Sequence, residues 1–121
     1  MDVFLRERFS ANDKIKESHP ELCFRMLSGR IMQHNKKKVV GQAERINVLK
    51  FLYAQTEKII ESAINSFKKK DVVTDDIIDA LCLAVTGLIG LERGFATIPQ
   101  VPEKDSHGLD MQMIYCDIAF P

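Results

Sequence analysis

The sequence predicts an α/β domain that is mostly helical, with a short and incomplete sheet. Two helical periodicities carry this reading, one running from Gly41 to Phe67 and the other from Thr74 to Ile89. The third observation is a shortage of strands, because only residues 14–19 and 111–116 read as extended.

A length of 121 residues leaves room for one domain with a modest core, so residues 1–121 are taken as a single unit. Apolar residues make up 45% and charged residues 28%, the balance of an ordinary globular domain. The 17 basic and 17 acidic residues cancel, so any nucleic-acid partner must be recognised by a local patch rather than by net charge. No stretch approaches the roughly 18 consecutive apolar residues of a membrane span. The charged N-terminus, MDVFLRERFSANDKIK, lacks the apolar core of a signal peptide. The expectation is a cytoplasmic protein with no membrane partner. Cys23, Cys82 and Cys116 form no CxxC pair, and Cys23 and Cys82 sit among apolar neighbours, as reduced and buried thiols do.

In chain order, residues 2–9 suit a short helix and Asn12-Asp13 a turn. Residues 14–19 (KIKESH) suit a strand stopped by Pro20, and proline in turn suits the first turn of the helix PELCFRML. Gly29 would end that helix. Residues 30–40, with Lys36-Lys37-Lys38, read as a loop. From Gly41 to Phe67, Ile46, Leu49, Leu52 or Tyr53, Ile60, Ala63 and Phe67 recur in steps of three and four. The register weakens near Gln55-Thr56, so the segment is one helix or two. Lys68-Lys69-Lys70 would close it against the negative end of the helix dipole. Thr74 is placed as the N-cap of the next helix, with Val73 and Ile78 as a hydrophobic staple. Its buried face would hold Ile77, Ile78, Leu81, Ala84, Val85, Leu88 and Ile89, and Gly90 or Gly94 would end it. The proline- and glycine-rich stretch 97–110 reads as a loop, and residues 111–116 as the terminal strand.

Two segments carry candidate chemistry. In TDDIIDAL, residues 74–81, Asp76 and Asp79 are three apart and about 60° apart around a helix axis. Asp75 and Asp79 are four apart, so one stripe displays several carboxylates. Such a group suits a hard divalent cation, Mg²⁺ or Mn²⁺. The plain alternative is that Asp75 and Asp76 offset the helix dipole and Asp79 is solvated. In ESHPE, residues 17–21, Glu17 and His19 share one face of a strand and Glu21 falls in a first helical turn, where acids are favoured. His34 and His107 give His19 no zinc-ligand spacing. The lysine triplets suit either phosphate contact or a solvated face. No cysteine has an evident histidine partner, and there is no glycine-rich phosphate loop.

Taken in order, ESHPELCF, KKKVVGQAERINVL, TDDIIDALCLA and TIPQVPEKDSHGLDMQMIYC resemble a domain-of-unknown-function family of predicted RNase H-like nucleases. The resemblance covers roughly residues 14–116. It implies that the chain is the C-terminal portion of an RNase H-like fold, a mixed sheet flanked by helices whose acids bind two metals for phosphodiester hydrolysis. The Asp76-Ile77-Ile78-Asp79-Ala80 pattern is similar to the acidic pair on the last helix of Holliday-junction resolvases, and Glu17 to their matching glutamate. The resemblance therefore implies Glu17, Asp76 and Asp79 as catalytic metal ligands, with Asp75 as a further one. His19 and Glu21 match family positions to which it assigns no role.

Family members begin with a glycine-rich strand around an aspartate, and no such strand is seen here. The expectation is a portion of a metal-dependent nuclease, incomplete alone, either a natural truncation or a fragment of a longer chain. Mg²⁺ or Mn²⁺ would bind weakly or not at all to this chain by itself. The partners expected are nucleic acid and either a second copy of the chain or a missing N-terminal half. The alternative class is a non-catalytic dimerisation or protein-interaction module.

Overall fold

The computed structural model describes residues 17–67, 73–108 and 110–116. Among them, four helices are followed by a β-hairpin. They are α1 (Pro20–Ser28), α2 (Val39–Leu52), α3 (Thr56–Ser66), α4 (Thr74–Arg93), β1 (Phe95–Lys104) and β2 (Asp110–Cys116). The architecture is a mixture of helices and a short antiparallel sheet, with helix dominating. The expectations for residues 2–16 and 68–70 lie outside the described residues.

The α4 helix is the hub, packing on α1, α2, α3 and β2. Its inward residues Ile78, Leu81, Cys82 and Val85 follow the three-and-four spacing of one helical face. Opposite them lie Cys23, Phe24 and Leu27 of α1, Val48 and Leu49 of α2, Ile60 of α3 and Cys116 of β2. Phe24, Leu49 and Ile78 are fully enclosed. Truncating one such aliphatic side chain to alanine costs about 2–5 kcal/mol, since a cavity is left as well as transfer energy lost. Ala84 and Leu88, assigned to the buried face from the sequence, are exposed instead, while Ile77 and Ile89 are half-buried.

Pro20 opens α1 at a position where its missing N–H is no loss. Gly29 closes the helix in the left-handed region at φ 75°, its N–H donating to the Arg25 carbonyl. The periodic segment after the loop is two helices. The chain breaks at Tyr53–Gln55, where the Tyr53 carbonyl accepts from both the backbone N–H and the hydroxyl of the buried Thr56.

Three expectations need correction. Residues 17–19 are not a strand, for Pro20 turns the chain directly into α1; the segment only runs beside β2, the Ile114 N–H donating to the Glu17 carbonyl at 2.8 Å. Val73, not Thr74, occupies the N-cap of α4, and its carbonyl accepts from the backbone of Asp76 and Ile77. Most of the stretch expected as a loop, 97–110, is the strand β1. Pro99 and Pro102 are tolerated there because β1 is at the edge of a two-stranded sheet. The paired register also skips from Ile98 to Glu103, which spares both prolines a ladder position. The hairpin turns at Asp105–Gly108, where Asp105 accepts from the backbone of His107 and Gly108 has φ 81°.

Candidate functional site

The rotation of α4 decides which of its aspartates can act together. Asp75 lies three residues before Ile78 and seven before Cys82, so burial of those two turns Asp75 inward. Asp79 follows one turn later on the same side. Asp75 is only 4% exposed and Asp79 is half-buried, while Asp76 faces outward. The structure thus brings Asp75 and Asp79 together at the start of the helix and leaves Asp76 at the rim.

Two adjacent buried carboxylates repel each other strongly unless a cation intervenes. Here the cations come from the loop between α1 and α2. Lys36 Nζ donates to Asp79 Oδ2 at 2.9 Å and stands 3.9 Å from Asp75 Oδ2. Lys37 Nζ lies 2.9 Å from that same Asp75 oxygen. The Lys37 ammonium thus compensates the charge of Asp75 Oδ2. Asp79 Oδ1 is buried and accepts no hydrogen bond among the described residues. The hydrogen bond to Asp79, the charge of Asp79 and that of Asp75 raise the Lys36 pKa above its usual value.

The loop that delivers these lysines is held by the start of α2. Glu44 accepts the backbone N–H groups of Gln33 and His34 and an N–H of Arg30 at 3.0 Å. Those donors, Gln33 first, hold the Glu44 carboxyl below the usual range. Arg45 is 4% exposed and donates to the carbonyls of His34 (2.8 Å) and Gly41 (3.0 Å). Its guanidinium also takes both carboxylate oxygens of Glu21 and lies 5.8 Å from the centre of the Phe24 ring. Gly41 is required by packing, since a Cβ there would collide with the Asn35 carbonyl. Asn35 in turn folds the loop, its side chain accepting from the Lys37 backbone and its carbonyl from that of Lys38.

The segment GQAER therefore acts as a clamp on the lysine loop. Sequence reasoning assigned no role to Glu44 or Arg45. The signal was there, because Gly41, Arg45, Val48 and Leu52 share one helical stripe, and a charged residue on an otherwise inward stripe needs a partner.

The remaining candidates fall elsewhere. The Glu17 side chain is exposed beside β2, and His19 is the N-cap of α1 with no side-chain cap bond. Glu21 is the partner of Arg45. Among the described residues, no three of the His, Cys, Asp and Glu side chains gather as a metal cage. The oxygen donors of Asp75 and Asp79 do fit a divalent ion of the Mg²⁺ type, which is commonly held by one or two carboxylates together with water and substrate phosphate.

Below the acid pair, Cys82 continues the same α4 face and meets Cys23 of α1. Each thiol shifts the other, Cys82 lowering the Cys23 pKa and Cys23 raising that of Cys82, to which burial adds, while the Cys82 thiol donates to the Pro20 carbonyl at 3.8 Å. Ser18 lies 3.2 Å from Cys23 Sγ and donates to the Ile114 carbonyl, tying the lead-in of α1 to β2. All three cysteines are buried thiols outside any disulfide.

Residues 1–104 match the family described as Protein of unknown function (DUF429). The chain belongs to that family. The match takes in the HPE, GQAER and DDIID segments of this DUF429 chain and ends before the turn at Asp105–Gly108. No curated protein and no solved structure matches it. No helix among the described residues is long and apolar enough to cross a membrane.

Proposed function

We propose that this DUF429 chain supplies the acidic helix of a metal-dependent, RNase H-like nuclease site that hydrolyses phosphodiester bonds of nucleic acid. One observation carries the reading: Asp75 and Asp79 lie side by side on the inward face of α4, with Asp79 Oδ1 buried and accepting no hydrogen bond among the described residues. Leaving a buried polar atom unsatisfied costs roughly 1–3 kcal/mol, more for a charged group. A cation on the pair would offset that cost. Asp75 and Asp79 would hold Mg²⁺ or Mn²⁺, and such an ion would supply charge against a phosphate and a more acidic water. Asp76 at the rim and Glu17 beside β2 are outer candidates for the same set. Lys36 and Lys37 bring positive charge to the point where a phosphodiester would approach.

Two carboxylates are fewer than two-metal hydrolysis uses, so a further acid is needed from outside this pair. The test is cleavage of duplex and branched DNA in Mn²⁺. It compares this chain, the chain preceded by a strand bearing a glycine-flanked aspartate, and that longer protein with Asp79→Asn. The expected result is cleavage by the longer protein alone. Equal cleavage by the Asp79→Asn protein would sink the reading.

A second reading, an interaction or dimerisation module, is favoured by one observation. Val39, Phe51, Leu91 and Val101 are each at least 80% exposed. Exposed apolar side chains that gather into one patch promote association with another chain. Light scattering that finds a monomer at high concentration would remove the support for it.

A further inference from the structure

Resting on the metal-site reading above, we infer that Lys36 is a built-in counter-cation of the acid pair, which a divalent ion must displace in order to bind Asp75 and Asp79. The ammonium of Lys36 stands between the two carboxylates, bonded to Asp79 at 2.9 Å and 3.9 Å from Asp75, whose nearer cation is the more exposed Lys37 at 2.9 Å. That is where opposite charge is most stabilised, and so where a metal ion would also settle. An ammonium and a divalent cation cannot share the position, since they repel each other and compete for the same oxygens.

The surrounding structure lets the lysine leave. Its side chain is 37% exposed, so the path from the carboxylates to water is short. The loop does not depend on it, because the backbone from Gln33 to Lys38 is fixed by Glu44, Arg45 and the Asn35 turn. Swinging Lys36 outward therefore costs the ion pair and little else. Without a metal, Lys36 compensates Asp79 and shares Asp75 with Lys37; with one, the freed ammonium of Lys36 stays at the mouth of the site, tethered by a fixed loop. The ligand that controls the exchange is a divalent cation with a preference for oxygen donors.

Binding of Mn²⁺ to the whole chain, followed by loss of the free-ion electron paramagnetic resonance signal, tests this without reference to catalysis. Lys36→Met should tighten Mn²⁺ binding about tenfold, the scale of one partly exposed ion pair acting on two carboxylates. Lys36→Arg should return the affinity to that of the wild type. Lys38→Met, which removes a charge of the same loop, should change it by no more than about twofold. Lys36→Gln keeps a hydrogen-bond donor without the charge and serves as the second variant if the methionine protein does not fold. Thermal denaturation adds an independent readout: Lys36→Met and Lys36→Gln should melt lower than wild type without Mn²⁺ and gain more on its addition. Equal affinity of the wild type, Lys36→Met and Lys36→Gln overturns the counter-cation and leaves the metal site standing. Equal tightening by Lys38→Met also overturns it, since the effect would then be one of general charge. Absence of Mn²⁺ binding in every variant overturns both the counter-cation and the metal site.

Discussion

Arg45 of α2 reaches Glu21 in the first turn of α1, its terminal nitrogen 3.0 and 3.2 Å from the two carboxylate oxygens. The partners stand in different surroundings, the arginine side chain 5% exposed and the glutamate 53%. The enclosed partner also serves the carbonyls of His34 and Gly41, so the two halves of this ion pair are not equivalent. Arg45→Met should cost about 1–3 kcal/mol, because those carbonyls lose their donor. Glu21→Gln should cost less than about 1 kcal/mol, as expected of an exposed partner. The urea midpoints of both variants check this, and equal losses would contradict it.

Two glycines of the helices should respond in opposite directions to the same substitution. Gly41→Ala drives a Cβ into the Asn35 backbone and should destabilise by about 1–3 kcal/mol, the range for overpacking. Gly87, in the middle of α4, has open space around its would-be Cβ. There Gly87→Ala should stabilise by roughly 0.5–1 kcal/mol through helix propensity alone. A Gly41→Ala protein that melts no lower than the wild type would show that the loop does not press on Gly41 as described.

Glu44 predicts part of the acid sensitivity. Its folded pKa is lowered, first by the Gln33 N–H, below the ordinary value of 4.5. The stabilisation it gives is therefore complete above that ordinary value and is lost as pH falls through the lowered folded value. Glu44→Gln should melt below the wild type at neutral pH, with the gap narrowing in acid. Thermal melts across that range read the gap; a constant gap would mean that the charge of Glu44 contributes nothing.

The thiols should be slow to react in the folded protein. Cys23, Cys82 and Cys116 are buried, and Cys82 is further disfavoured as a thiolate by its neighbour Cys23 and by desolvation, whereas the Cys23 pKa is lowered. Titration under denaturing, non-reducing conditions should find all 3 cysteines reactive, while the native protein should react slowly and Cys82 last. Fewer than that number after denaturation would contradict the thiol assignment.

Much of the helical layout was legible because it rests on local chemistry. Pro20 and Gly29 bracket α1 by their backbone preferences alone, and the weakened register at Gln55-Thr56 lies beside the break between α2 and α3. The strand β1 was hidden because Pro99 and Pro102 argue against a strand unless its edge position is known. The site was half legible. An acidic pair on α4 follows from the spacing, but an aspartate in a first helical turn has a dipole explanation whether it faces in or out. Only the burial of Ile78 and Cys82 distinguishes Asp75 from Asp76. The lysine contacts, the Glu44 clamp and the Arg45–Glu21 pair join residues on different elements, and periodicity marks Arg45 as needing a partner without saying which residue supplies it.

The most direct measurement of the central claim is Mn²⁺ binding by the wild type and by Asp75→Asn, Asp76→Asn and Asp79→Asn, each checked for folding by circular dichroism. The structure places Asp75 and Asp79 on one inward face and Asp76 outside it. The account predicts that Asp75→Asn and Asp79→Asn abolish binding while Asp76→Asn retains it. Retention of wild-type affinity by a folded Asp79→Asn protein would contradict it.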